Sequence, residues 1–210
     1  MVLYLSTIFV AMAIISILNI AFGSYGFDYS SLWIILAVVL STIVEIAISG
    51  VFSAITEHAP EKFFNPNKKL YTVSKKEQKF YEKIGIKFWK DKVWELGALG
   101  GFRKNKLNDT SSAYLYRFII ESNRGMLGHI IDLFVGFLVI FILPLKYAWR
   151  IGVPVAIVGF VLNLLPICVL RYNLPKLAVA YKRAKRLEER AEKGSVEGNK
   201  EEAKASSENK

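Results

Sequence analysis

The sequence predicts an all-α integral membrane protein with about four transmembrane helices and a cytoplasmic amphipathic helical segment between the second and third. Three observations lead to this fold class. Hydrophobic residues make up 53% of the 210-residue chain, yet its net charge is +10. The apolar and charged residues are segregated along the sequence, as in membrane proteins with basic flanks. Apolar runs of about 20 residues, long enough to cross a bilayer, recur four times.

We expect these four runs at residues 2–22, 32–56, 130–147 and 151–170. The third is the shortest, and Pro144 lies near its end. The first run is not interpreted as a signal peptide, because it lacks a basic n-region and is longer than a typical apolar h-region.

The charge distribution predicts the orientation of the spans. Residues 23–31 contain no lysine or arginine, whereas residues 57–129 contain fifteen against eight acidic residues. Residues 171–210 contain eleven against seven. The positive-inside rule therefore predicts a multi-pass protein of a bacterial cell membrane with both termini in the cytoplasm. Basic residues at the cytoplasmic membrane edge lie near membrane lipids, and this placement already accounts for the positive charge. No nucleic-acid partner is therefore expected.

This orientation divides the chain into five parts. Residues 1–56 form two transmembrane helices, and residues 57–129 form a cytoplasmic region at the membrane surface. Residues 130–170 form a transmembrane hairpin, followed by a charged cytoplasmic helix at 171–193. Residues 194–210 are rich in Glu, Lys, Ser, Gly and Asn, and we expect disorder there because such a segment buries too little apolar surface to fold.

The surface region contains a predicted amphipathic helix. Ser74 is a plausible N-cap with Glu77 as its capping-box partner, and the helical pattern continues to about Lys92. Lysines lie at helical spacing beside an apolar stripe of three residues, Phe80, Ile84 and Phe88. Two interpretations remain open. The helix either lies in the membrane interface near anionic lipids or packs on the protein's own core with a solvated basic face.

Glu45 stands inside the second apolar run, in STIVEIAIS. An ionisable group there costs about 2.5 kcal/mol or more, so we expect it to face the bundle interior with a partner or water. It is either a structural hydrogen-bonded glutamate or a proton acceptor in a buried cavity.

The chain has two histidines, the usual general bases near neutral pH. His58 follows the second run and His129 precedes the third, so both are expected at the same membrane edge. In ESNRGMLGH, helical spacing places Glu121, Arg124 and Gly128 on one face. Each histidine is alternatively a polar anchor at the interface.

Metal and cofactor sites are not expected. The sequence contains no GxSxG, HExxH, P-loop or GxGxxG motif. Cys168 is the single cysteine, which excludes an intramolecular disulfide and a cysteine-based metal motif.

Three segments in order carry a family resemblance: FYEKIGIKFWKDKVWELGALGGFRKNKL, then ESNRGMLGH before a hydrophobic hairpin, then RYNLPKL. Over residues 57–177 the chain resembles the glycosyl-4,4'-diaponeurosporenoate acyltransferase family of bacterial carotenoid biosynthesis. The resemblance implies transfer of a fatty acyl group to a hydroxyl of a glycosylated lipid. We expect a lipid-linked acyl donor and a glycolipid-type acceptor at the cytoplasmic membrane face, and no cofactor.

The resemblance also implies that His129 accepts the proton of the attacking hydroxyl. An acidic residue usually precedes Leu-Gly-His in this family, but Met126 stands there. Glu121 or Glu95 would then supply the carboxylate. Trp94 is a second departure, since a proline is expected at its position.

Further contacts follow from the same resemblance. Arg124 or Arg171 would hold an anionic group of donor or acceptor, and backbone amides of residues 97–101 would stabilise an oxyanion. The remaining candidates for substrate binding lie in the family-like segments or near the membrane: Trp89, Lys90, Asp91, Gly100, Gly101, Tyr172, Asn173, His58 and Glu45.

Two alternatives stay open on sequence alone. A non-catalytic assembly or lipid-organising protein explains the spans and basic edges, but not the cluster of His129, Arg124 and Glu121. An integral enzyme of another lipid-processing reaction is the second, although phosphate chemistry usually needs a carboxylate cluster for a metal.

Overall fold

A computed structural model describes residues 2–22, 30–93, 109–143 and 147–208, and every regular element in those ranges is helical. Four stretches are long and apolar enough to cross a membrane: Tyr4–Ala21, Ser31–Glu57, Ser112–Ile142 and Ala148–Ser195. The predicted all-α membrane fold with four spans is thereby confirmed. Within the described ranges the α-helices are α1 Val2–Ala21, α2 Ser31–Glu57, α3 Lys75–Lys83, α4 Ile86–Trp89, α5 Ser112–Val135, α6 Val139–Ile142 and α7 Val153–Glu208.

The third span begins much earlier than the sequence predicted. Helix α5 begins at Ser112, where the Ser111 side chain accepts a hydrogen bond from the Tyr114 amide, and it continues past His129 without a break. The sequence predicts a boundary near residue 130 because charged residues precede it. Charged side chains do not end a helix, however, because the backbone hydrogen bonds of a polar turn are still made within the helix.

The fourth span and the charged segment after it are one helix. Helix α7 follows a π-helical turn at Ala148–Gly152 and continues through Pro166 and Pro175 to Glu208. The structure thus extends the helix through a tail predicted to be disordered from residue 194. Alanine, glutamate and lysine have high helix propensity, and extending an existing helix avoids the cost of nucleation.

Helix α1 is attached to α7 through a carbonyl that a proline leaves free. Proline has no N–H, so the carbonyl four residues earlier lacks its helical donor. The carbonyl of Leu162, four residues before Pro166, accepts a hydrogen bond of 2.7 Å from the Tyr4 hydroxyl.

A second contact of the same kind holds the other end of α1. Pro154 cannot donate to the Arg150 carbonyl. That carbonyl accepts from Asn19 Nδ2 at 3.1 Å. These two polar contacts fix the register of an otherwise apolar helix against the last span.

The predicted amphipathic helix is split in two. Ser74 accepts a hydrogen bond of 3.1 Å from the Glu77 amide, which confirms the predicted N-cap. Helix α3 ends at Lys83, and Gly85 follows with φ 67°. Glycine adopts this left-handed conformation without steric cost, so the chain turns there before α4 instead of continuing to Lys92.

This surface segment has a packed face and an exposed face. Tyr81, Ile86 and Val93 pack in one cluster with Val169 and Tyr172 of α7. The predicted apolar stripe lies on the other face and is exposed: Phe80 56%, Ile84 42% and Phe88 86%. Both interpretations of the segment therefore retain support, since it packs on the protein and also presents aromatic rings outward.

Candidate functional site

A cavity of about 330 Å³ lies between α1, α2, α5 and α7. This volume is at the lower end of the ~300–1,000 Å³ typical of small-molecule pockets. Most of its exposed wall is apolar. Polar side chains of α2, α5 and α7 also reach it: Thr42, Glu45, Ser49, Ser53, His129, Asp132 and Asn163.

The hydrogen bonds of His129 define its tautomer. Its Nδ1 atom lies 2.9 Å from Asn163 Oδ1. Asn163 Nδ2 donates to the Gly159 carbonyl at 3.1 Å, so the oxygen of the amide is the atom that faces the imidazole. Nδ1 must then carry the proton, which leaves Nε2 with a free lone pair. This is the state that a general base requires.

Asp132 is a site residue that sequence reasoning missed. It is 5% exposed and lies three positions after His129, on the same face of α5. Its Oδ2 atom accepts from Ser53 Oγ at 3.0 Å, while buried Oδ1 has no partner among the described residues. Asp132 lies within the predicted apolar run at 130–147, and the rule applied to Glu45, that an ionisable group inside a span is a functional candidate, applies to it equally.

Glu45 is buried, as expected, and two glycines make room for its carboxyl group. A Cβ atom on Gly136 would lie 2.9 Å from Glu45 Oε1, and one on Gly159 would approach it more closely still. Real Cβ atoms do not come so near, so both positions require glycine while Glu45 keeps this conformation. The carboxyl group accepts no hydrogen bond from the described residues and faces the cavity.

We expect Gly159→Ala to destabilise the bundle. The new methyl group displaces the Glu45 carboxyl, and because that carboxyl is the end of a flexible side chain beside the cavity, the expected cost is about 1 kcal/mol, at the low end for overpacking. Thermal unfolding in detergent measures the loss. Gly125→Ala is the matched control, because its nearest neighbour would be Leu170 Cδ1 at an ordinary 3.9 Å. Equal unfolding temperatures for the two variants would contradict the assigned contact.

Arg124 lies outside this cavity in an ion-pair group. It is 3.4 Å from Glu57 and 3.5 Å from Glu121, and its guanidinium lies over the Phe64 ring at 4.9 Å. Glu121 therefore pairs with Arg124 and is two helical turns before His129. The structure does not bring Glu121 to the histidine.

Arg171 is also engaged within the protein. It forms a two-point ion pair with Glu77, in which Nη2 lies 2.9 Å from Oε2, and it donates to the carbonyls of Leu70 at 2.6 Å and Thr72 at 3.1 Å. The hydrogen bonds from Arg171 are the main cause of the lowered pKa of Glu77. This clamp fastens the surface segment to α7.

A comparison with known protein families shows the family to which the chain belongs. The sequence profile of glycosyl-4,4'-diaponeurosporenoate acyltransferase matches residues 60–183, more than half of the chain. The chain belongs to this family. No curated protein and no solved structure matches it. The family is one of membrane acyltransferases in carotenoid biosynthesis, which confirms the resemblance read from the three sequence segments and implies lipid substrates.

The matched range contains only part of the cavity of this acyltransferase. It includes His129, Asp132 and Asn163, but it leaves out Glu45 and all of α1. Met126, the departure from the family pattern, is fully buried and its sulfur lies 3.9 Å from Arg171 Nη1. The position at which the family usually has an acidic residue therefore points into the core in this chain. Asp132 is the carboxylate of α5 that lines the cavity.

The other family-implied residues do not line the described cavity. Tyr172 is buried under Lys176, whose Nζ lies 4.0 Å from its ring centroid, and the neighbouring Asn173 is half-buried. Trp89 donates to the Ile84 carbonyl at 3.3 Å and packs against the Tyr172 cluster.

Two further candidates lie at the protein surface. Asp91 is exposed and pairs with Lys90 at 3.5 Å. His58 is exposed at the end of α2, where its Nδ1 lies 2.8 Å from the Ala54 carbonyl. Several residues singled out by the sequence lie outside the described ranges: Trp94, Glu95 and the whole of residues 97–101, with Gly100 and Gly101 among them.

Proposed function

We propose that this family member is an O-acyltransferase that moves a fatty acyl group onto a hydroxyl of a glycosylated lipid. The charge distribution supports the cytoplasmic face of a bacterial cell membrane as the place of the reaction. One observation carries the proposal. The Nδ1–H of His129 is committed to Asn163, so the basic lone pair is on Nε2, which has no hydrogen-bond partner among the described residues, and His129 lines a largely apolar cavity within the spans.

The reaction needs one base and one nucleophile. Nε2 of His129 accepts the proton of the acceptor hydroxyl as its oxygen bonds to the acyl carbonyl carbon. Collapse of the tetrahedral intermediate breaks the bond to the donor's leaving group, a thiol or an alcohol. That group then takes the proton from His129. Asn163 holds the ring in place throughout.

Two other cavity groups have unused hydrogen-bonding capacity. Asp132 Oδ1 accepts a hydrogen bond from the acceptor and orients its hydroxyl towards His129. Ser49 Oγ is buried and has no partner among the described residues, so its proton is available to the developing oxyanion. Glu45 lies one turn below Ser49 on α2. These groups, together with His129, favour an acyl-transfer site over a lipid-organising surface.

Product formation tests the proposal. A bacterial host that accumulates glycosyl-4,4'-diaponeurosporenoate is given the chain, and its pigments are analysed by mass spectrometry. We expect a new pigment that is heavier by one fatty acid minus one water. An unchanged set of pigments, with the protein present in the membrane fraction, would contradict the proposed function.

Asn163→Leu tests the part assigned to the amide. Leucine has a similar size but accepts no hydrogen bond, so His129 is no longer held in one tautomer. We expect kcat to fall by about 10- to 100-fold, less than the ~10²–10⁴-fold lost when a general base is removed outright, with little change in KM. A fall in stability with unchanged kcat would show that Asn163 serves packing alone.

A further inference from the structure

We propose that the cavity is a channel for the single acyl chain of the donor, in which Ala11 and Ile15 of α1 set the chain length. The proposal rests on the acyl-transfer function above. It adds a substrate subsite built mostly from helices outside the family-matched range.

The head of the channel lies at His129. Tyr4 of α1 bonds the carbonyl of Leu162, and His129 bonds the next residue of α7, Asn163. Tyr4 and His129 are therefore at one level along α7, and both line the cavity. An acyl carbonyl at this level is next to the base, and its chain then has one direction in which to extend.

From that level the lining residues descend along two helices. On α1 they extend from Tyr4 to Ile15, and on α2 from Ser53 to Thr42. Each interval is eleven residues, or about 16 Å of helix at ~1.5 Å per residue. The cavity is thus elongated along the helices and leads away from the membrane edge.

Its proportions suit one hydrocarbon chain. The volume of about 330 Å³ is at the small end for ligand pockets, while the lining residues extend over about 16 Å along the helices. A small, elongated pocket of this kind accommodates a single chain more readily than two chains or a sugar ring. The acceptor's headgroup therefore approaches from the His129 end.

Below Tyr4, the wall contributed by α1 is apolar. Ile8, Ala11, Met12 and Ile15 recur at helical spacing on one face and line the cavity. The carboxyl of Glu45 lies on the opposite side, against Gly136 and Gly159. The two glycines therefore keep the carboxyl group beside the C-terminal end of α5 and beside α7, and leave the α1 side of the channel apolar.

The deep end is closed by a packed cluster. Ile15, Val38, Ile151 and Val155 form one buried hydrophobic group there, and each is less than 10% exposed. Ala11 lies one turn above this floor and is the smallest side chain that α1 contributes. A larger residue at Ala11 shortens the channel, and a smaller one at Ile15 lengthens it.

The test offers membranes an equimolar mixture of saturated acyl-coenzyme A thioesters, from decanoyl to stearoyl, with glycosyl-4,4'-diaponeurosporenoate as acceptor. We expect Ala11→Phe to raise the ratio of short-chain to long-chain products at least tenfold, and Ile15→Ala to lower it. Ala13→Phe is the matched control, because Ala13 is exposed on the other side of α1. Identical profiles for the two phenylalanine variants would refute the channel while leaving acyl transfer intact.

A second measurement needs no turnover. Palmitic acid with a diazirine next to its methyl end is irradiated with the His129→Gln protein in phosphatidylglycerol vesicles. Labelling of Met12 or Ile15, reduced at least fivefold by Ala11→Phe but not by Ala13→Phe, supports the channel even if acyl transfer fails. Labelling confined to exposed residues such as Phe9 and Ile14 contradicts it.

Discussion

Replacing His129 by glutamine is expected to lower the rate of acyl transfer by about 10²–10⁴, the usual contribution of a general base. Glutamine keeps the size of the side chain and a group that bonds Asn163, but it has no lone pair basic enough to accept the hydroxyl proton. Most of the loss should be in kcat, because the proton moves only in the transition state. The initial rate of pigment acylation in isolated membranes measures it.

His58→Gln is the matched control for this substitution. It is the other histidine of the chain, it is exposed, and its Nδ1 is next to the carbonyl of Ala54 in its own helix. We expect wild-type rates from this variant. If His129→Gln retained full activity, the base would have to be another group, and the function assigned to the cavity would lose its main support.

Replacing Arg171 by methionine is expected to cost about 2–4 kcal/mol of stability, because it leaves the Glu77 carboxylate and two carbonyls without their donor. Arg171 and Glu77 are 17% and 25% exposed, so the loss should be below that of a fully buried pair. Thermal unfolding in detergent measures it, and trypsin cleavage within α3 reports release of the surface segment.

Arg183→Met is the control, since Arg183 is an exposed arginine on the same helix and should change stability by less than about 0.5 kcal/mol. The double variant Arg171→Met with Glu77→Gln should lose less stability than the two single variants together. Each single variant leaves one partner of the ion pair uncompensated, whereas the double variant removes both. Strict additivity would show that the ion pair contributes nothing.

The same clamp predicts a pH dependence. The pKa of Glu77 is lowered from its ordinary value of 4.5, mainly by its hydrogen bonds with Arg171. The unfolded state therefore binds a proton more readily than the folded state. The contribution of the clamp is present above about pH 4.5 and is lost as the pH falls through the lowered pKa of the folded state. Wild-type protein should lose this increment on acidification, whereas Arg171→Met should not.

Sequence alone determined the membrane class, the number of spans, the family and two groups of the cavity, His129 and Glu45. These are local properties: hydropathy over about 20 residues, a short ordered set of motifs, and the high cost of a charge inside an apolar run. It also predicted the Ser74 cap, because a capping hydrogen bond joins neighbours only three residues apart.

Tertiary structure decided which of these residues meet. Asn163 reaches His129 across 34 positions, Ser53 reaches Asp132 across 79, and Gly136 and Gly159 come from different elements to enclose Glu45. No periodicity within one helix encodes such contacts, because they depend on the register in which helices pack. The same packing places Arg124 and Arg171 in ion pairs outside the cavity. It also places α1, which is apolar along nearly its whole length, beside His129.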